Sequence, residues 1–428
     1  MLILNNARII DPEAGTETLG GVLIEHGRIA AVYPTPIEAT AEGAEVIDCN
    51  GKALAPGIID IGVKIGEPGE RHKEGFRTAG RAAAAGGVTT VVTRPDTEPA
   101  IDTPELLEFF QNRAKERAHV RILPMAALTK GRAGKEMVEI GFMQDAGAVA
   151  FSDHDHVVQN PKLLQRAFTY GTATDALFIG HPQEPNLSAG ACVTSGPFAT
   201  KLGLPAVSTM AERMQLERDL AIVEMTGARY HADQITAAST LPALRRAKAS
   251  GLRVTAGISI HHLTLNEFDA EDYKTFFKLT PPLRSEDDRR AMIEAVAEGE
   301  IDIICSMHTP QDEEAKRLPF EQAASGAVGL ETMLPAALQL YHGEYLSLPQ
   351  IFRALSLNPA KILGLDAGRI AVGAPADLVL FDPDVPFVLD RFKLHSKSKN
   401  TPYDGRRMQG QVIFTFVGGE RIYERAAK

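Results

Sequence analysis

Residues 153–156 read Asp-His-Asp-His, and His154 and His156 have the His-x-His spacing that can offer two imidazoles to one metal ion. A second segment has the frame for such a pair without the residues. In residues 56–69, PGIIDIGVKIGEPG, a hydrophobic run passes through Asp60, and positions 62 and 64 of an extended strand face the same side. Two histidines there would grip a metal. The chain instead has Gly62, which has no donor atom, and Lys64, whose ammonium has no lone pair to give. Other imidazoles are scattered, among them His181, His231, the adjacent His261 and His262, and His308. His231, with Gln234 three residues on, reads as a hydrogen-bonded core histidine, and Cys305 and Met307 as core or pocket lining. No Gly-rich phosphate loop, Ser-His-Asp constellation or CxxC pair competes with these groups. Gly86-Gly87 reads as a helix stop before a strand.

The elements that must position these groups follow from the hydrophobic pattern. Residues 2–10, 21–25, 29–32 and 45–48 are short β-like runs, broken by Asp11-Pro12, Gly20-Gly21 and Asn50-Gly51. Residues 377–381, 412–417 and 420–423 repeat that style around a Gly418-Gly419 hairpin turn. Between the two ends, short buried strands alternate with amphipathic helices: strand 89–93 follows helix 75–85, strand 120–123 follows 103–117, and strand 301–305 follows 285–298. Ser285 with Asp288 three residues on predicts a capping box, and Asp102-Thr103-Pro104 predicts a second helix start. Such alternation over about 300 residues predicts an α/β fold, a (β/α)8 TIM-like barrel. The expected organisation is a barrel at 55–367 beside a small composite β-sandwich domain built from both chain ends, 1–54 plus 368–428.

The 428 residues are too many for one small core, and 44% hydrophobic with 23% charged residues is ordinary for a globular protein. A net charge of −10 and a pI of about 5.7 argue against a nucleic-acid or anionic-membrane surface. Arg245-Arg246 and Arg289-Arg290 sit in helix-like stretches and read as solvated faces. Cys49, Cys192 and Cys305 are widely spaced and odd in number, which fits a reducing compartment. No stretch reaches the 18 or so apolar residues of a membrane span, so the expected location is the cytoplasm.

Many short segments, in order, resemble the dihydroorotases of the amidohydrolase superfamily, in their longer barrel-plus-β-domain class. They include PGIID (56–60), GEPG (66–69), RPDTEP (94–99), GAVAFSD (147–153), HHLTLNE (261–267), KLTPPLRSEDDR (278–289) and LNPAKILGL (357–365). The resemblance implies a zinc enzyme of pyrimidine biosynthesis that opens and closes dihydroorotate, and it also locates what is missing. The family's His-x-His falls on Gly62 and Lys64, its substrate-binding arginine on Gly66 and its substrate-binding asparagine on Asp96. The second histidine of a His-x-x-His pair falls on Gln234, the proton-shuttling aspartate on Met307, and a last histidine on Gln311. Asp153 matches the bridging carboxylate, and His181 and His308 match surviving histidines.

The resemblance therefore implies a catalytically silent relative with no metal or cofactor. Its expected role is that of a structural partner of aspartate carbamoyltransferase, with homodimer formation left open. Lys64 is expected to fill the vacated pocket and pair with Asp153 or Asp96. The alternative is a working cyclic amidohydrolase that gathers zinc with Asp153, His154, His156, His181 and His308. A third expectation is a pocket that binds a pathway metabolite as a regulator.

Overall fold

The computed structural model describes residues 1–37 and 43–426. Eight parallel strands follow one another around its centre: β1 (Ile58–Val63), β2 (Val88–Thr93), β3 (Arg121–Ala126), β4 (Ala150–Phe151), β5 (Leu177–Gly180), β6 (Arg229–Ala232), β7 (Val254–Ser259) and β8 (Ile303–Cys305). β1 and β2 are buried along their whole length, as strands covered on both faces must be. Helices such as Phe76–Ala85 and Pro104–Arg117 form the outer layer. β8 and β1 meet through side chains: the fully buried Asp60 carboxylate accepts from the Ser306 N–H at 2.8 Å and from the Ser306 hydroxyl. The Lys64 N–H donates to His308 O at 2.9 Å along the same seam.

Helix starts follow the local signals. Thr103 Oγ1 accepts from the Leu106 N–H ahead of a helix with proline in its first turn, and Ser285 Oγ accepts from the Asp288 N–H. The Asp288 carboxylate, however, accepts from the Ser285 hydroxyl at 2.7 Å, so the return bond of the expected capping box goes to the side chain instead of the backbone.

Both chain ends contribute to one hydrogen-bonded sheet of eight strands. Leu2–Asp11, Thr16–Glu25, Arg28–Tyr33, Glu45–Asp48 and Ala53–Pro56 join Leu378–Val388, Arg407–Val417 and Glu420–Glu424. Leu4, Ile9, Val22, Leu378 and Phe416 belong to the separate hydrophobic core of this layer. The layer is tied to the barrel at Asp377, which receives Arg121 Nε at 3.0 Å on its carboxylate and the Gly57 N–H at 2.9 Å on its carbonyl. Among the described residues no helix is long and apolar enough to cross a membrane.

The seam makes a specific demand. Asp60→Ala leaves the buried Ser306 N–H without its acceptor and is expected to cost about 2–4 kcal/mol, whereas Asp60→Asn, which keeps one acceptor oxygen, costs less. Urea denaturation of the two variants checks the order; equal stabilities would remove the seam from any structural role.

Candidate functional site at the barrel mouth

The chemistry-bearing side chains leave the C-terminal ends of the strands, the rim on which barrel sites are built. Three ends share one local device. In Ser152-Asp153-His154, Ser259-Ile260-His261 and Ser306-Met307-His308, the serine hydroxyl accepts the backbone N–H of the histidine, at 2.9, 3.2 and 3.0 Å. His154 (φ 50°), Gln234 (φ 56°) and Met307 (φ 45°) are non-glycine residues in the left-handed region, a costly conformation that turns each chain sharply as it leaves its strand.

These ends enclose a cavity of about 320 Å3 lined by Lys64, Arg94, Asp96, His154, His181 and Gln234, with Met307 and Gln311 also on its wall. Gly62 has φ +95°, and a Cβ built on it would lie 2.9 Å from Met307 Sδ. The thioether therefore stands where a side chain at position 62 would project. Gly66 is equally confined, because an added Cβ would approach Glu70 O to 2.4 Å. The loop following β1 thus has no space for the arginine that the resemblance implies at this position.

Charge in the cavity is organised around Asp96. Lys64 Nζ lies 2.7 Å from Glu70 and 3.5 Å from Asp96, and Arg94 Nη2 donates to Asp96 at 3.1 Å. Although burial alone would raise it, the adjacent Arg94 and Lys64 hold the Asp96 carboxyl well below the usual range. Arg94 Nη1 also contacts Thr309 Oγ1 at 3.2 Å and His154 Nε2. Burial pushes His181 down to about 4 and His154 well below the ordinary histidine value, and raises Asp233 to about 7. His181 Nδ1 is 4.0 Å from Asp233 Oδ2, and with His154 these two form the one metal-compatible cluster among the described residues. Arg94 Nε, Asp96 Oδ1, both nitrogens of His181, His261 Nε2 and Gln311 Oε1 are buried without a protein partner. A cavity with such a lining suits a small polar molecule or ordered water.

Several sequence expectations need correction. Asp153 is not on the cavity: its carboxylate accepts the N–H groups of Leu128 (2.9 Å) and Thr129 (3.0 Å) and the Thr129 hydroxyl, and so fixes the loop after β3. With three donors it needs no cation, and Lys64 pairs with Asp96 and Glu70 instead. The next residue, His154, turns inward. His156 is exposed, with Nδ1 3.2 Å from Arg132 O. His308 is buried away from the cavity lining, 3.5 Å from Glu74, and its Nδ1 accepts the Gly329 N–H. The five-residue zinc set is therefore not assembled; only His154 and His181 come together. Arg94, Glu70 and Asp233 were not anticipated as site residues. The repeated Ser-x-His tripeptide is the sequence signal that marks the three strand ends.

The two-zinc centre implied by the resemblance does not fit these residues. Such centres hold two ions about 3.5–4 Å apart between several shared ligands. Here Gly62 and Met307 fill part of that space with carbon and a weak thioether, Lys64 and Arg94 bring positive charge, and Gln234 offers only a neutral amide.

Comparison with known proteins agrees with the architecture. Residues 51–239 match the Dihydro-orotase-like family. The chain is 40% identical over 422 residues to a dihydroorotase of Anaplasma phagocytophilum (strain HZ), covering 98% of this chain and 94% of that protein. It is 37% identical over 423 residues to a dihydroorotase of Syntrophus aciditrophicus (strain SB), covering 99% of each. Among solved structures, the L-hydantoinase (dihydropyrimidinase) of Arthrobacter aurescens superposes with a TM-score of 0.90 at 25% identity, over 100% of this chain and 96% of that one. A D-hydantoinase (dihydropyrimidinase) from Thermus sp. shares the fold, with a TM-score of 0.83 at 22% identity over 99% and 95%.

Two predictions follow from the charges. Arg94 and Asp96 are both almost wholly buried, while Lys64 keeps solvent contact and a second partner. Arg94→Ala is expected to cost about 3 kcal/mol and Lys64→Ala about 1–2 kcal/mol, and a reversed order in denaturant titrations would contradict this charge arrangement. The second concerns pH. Burial holds His181 at about 4 and His231, His261 and His262 at about 3. Unfolded histidines protonate near about pH 6.5, so the stability these rings contribute is present above that pH and is lost on acidification. Asp60, raised to about 6, and Asp233 oppose the trend, because folded carboxyls take up protons there while unfolded ones do not. Four histidines outweigh two carboxyls, so stability should fall between about pH 6.5 and 4. His231→Gln should flatten that fall by up to about 1.4 kcal/mol per pH unit, as measured by urea midpoints across the interval.

Proposed function

The chain belongs to the dihydroorotase family, and on that premise we propose that it is a non-catalytic member, one that acts through its folded exterior as a structural partner of aspartate carbamoyltransferase. The observation that carries the non-catalytic reading is Met307 lying against Gly62. A metal-binding side chain at position 62 would need both the left-handed backbone and the volume now held by the thioether. Around it, Lys64 is engaged by two carboxylates, and Gly66 has no space for a substrate-binding arginine. The barrel seam, helix caps and core are intact. Loss of ligands on an intact scaffold is what a function carried by the surface would leave behind, and this supports the partner role that the sequence resemblance implies.

A second reading, a metal-dependent cyclic amidohydrolase interconverting dihydroorotate and N-carbamoyl-aspartate, has its own support. The curated relatives carry the dihydroorotase name, and His154, His181 and Asp233 converge at the mouth. Protein purified without chelators separates the two readings. The non-catalytic reading expects no dihydroorotate turnover with added zinc, and no rescue by Gly62→His with Lys64→His, because Met307 and Gly66 remain. Zinc-dependent turnover near the usual enzymatic range of about 1–10³ s⁻¹ would establish the second. The partner role is tested by co-expression with the aspartate carbamoyltransferase of the same organism. A stable interface buries at least about 1,000 Å2, so co-elution and altered carbamoyltransferase activity or stability are expected. Separate elution with unchanged activity would remove that role.

A further inference from the structure

The convergence of His154, His181 and Asp233 raises the question of why Arg94 stands among them. Guanidinium nitrogens are donors only, so the contact of Arg94 Nη1 with His154 Nε2 requires that Nε2 accept. The His154 ring is then neutral and carries its proton on Nδ1, an atom buried with no protein partner. Neither nitrogen has a lone pair left for a metal. The blocking group is itself held in place, because Arg94 is anchored by Asp96 at 3.1 Å and Thr309 Oγ1 at 3.2 Å. With His154 occupied, only His181 and Asp233 remain, fewer than the three protein ligands of an ordinary open zinc site. Moreover, an incoming dication would sit beside the guanidinium, where like charges repel at short range with little water between them.

We infer that Arg94 is a built-in cation that closes a latent one-metal site, formed by His154, His181 and Asp233, to divalent transition metals. Removing it frees the His154 ring to shift its proton and offer a lone pair, and removes the competing charge, leaving a two-imidazole, one-carboxylate set on three adjacent strand ends. The metal class is the one that such ligands favour, Zn(II) or Co(II), with water completing the shell. The inference rests on the reading that the family's own two-metal centre is lost, and it adds what keeps metal from the remaining donors.

The test loads the full-length protein and its Arg94→Met variant with Co(II), removes free metal by desalting, and measures bound cobalt and the visible d–d spectrum. Wild type is expected to retain only traces without d–d bands, and Arg94→Met to retain close to one Co(II) per chain with the bands of a low-coordinate site. Adding His181→Ala to Arg94→Met should abolish both signals. Stoichiometric cobalt in wild type would overturn the closure by Arg94; if accompanied by dihydroorotate turnover, it would also overturn the non-catalytic reading. A folded Arg94→Met protein that binds no cobalt would overturn the latent site while leaving the non-catalytic reading intact. A measurement on wild type guards against misfolding of the variant. Nitrogen-15 NMR of labelled histidine, with His154→Gln for assignment, should show the Nδ1–H tautomer at His154, and the opposite tautomer or a charged ring would overturn the inference.

Discussion

The arrangement of the barrel mouth depends on how one buried carboxylate is neutralised. Asp96 lies just beyond β2 with its side chain only 8% exposed, and a lone carboxylate there would be expelled or protonated. Arg94 and Lys64 together keep it charged. Once the guanidinium is committed to that task, its Nη1 reaches Thr309 and His154, tying the end of β2 to the ends of β8 and β4. The ammonium of Lys64 reaches Glu70 and orders the loop after β1. The rim is thereby tied together by charge pairs and hydrogen bonds from several strand ends.

The amino-acid sequence already contained most of the architecture, because strands buried on both faces and helices buried on one leave clear periodicities. The barrel, the contribution of both chain ends to a separate β structure, and the helix starts at Thr103 and Ser285 were all legible. The ligand positions that Gly62, Lys64 and Met307 cannot fill were also legible, since an absent donor atom needs no geometry to be noticed. Whether Asp153 or His154 faces inward was not. The choice depends on a left-handed residue at 154 and on acceptance by Asp153 of the Leu128 and Thr129 amides, which follow the neighbouring strand and are 24–25 residues away in sequence. The role of Arg94 is not legible in its own segment, because it exists only where three strand ends meet.

The three Ser-x-His turns show that one backbone device positions residues of different fate. In each, a serine two residues earlier catches the amide, yet His154 faces the cavity, His261 lies on its wall beside Tyr403, and His308 turns to Glu74. The turn fixes the backbone, and the neighbouring strands decide where the ring goes. The contact that holds each turn uses the backbone amide of the histidine and not its ring.

The composite sheet has a consequence for synthesis on the ribosome. Strand Ala53–Pro56 pairs on one side with Leu2–Asp11 and on the other with Leu378–Val388, so the layer begun by Leu2–Asp11 waits for a strand made much later. The Asp60–Ser306 seam imposes a similar delay on the barrel. Pairings so distant in sequence form slowly and leave strand edges open meanwhile. A nascent chain still lacking Leu378–Val388 exposes the Ala53–Pro56 edge, and an unpaired strand edge of this kind is a template for pairing with other chains.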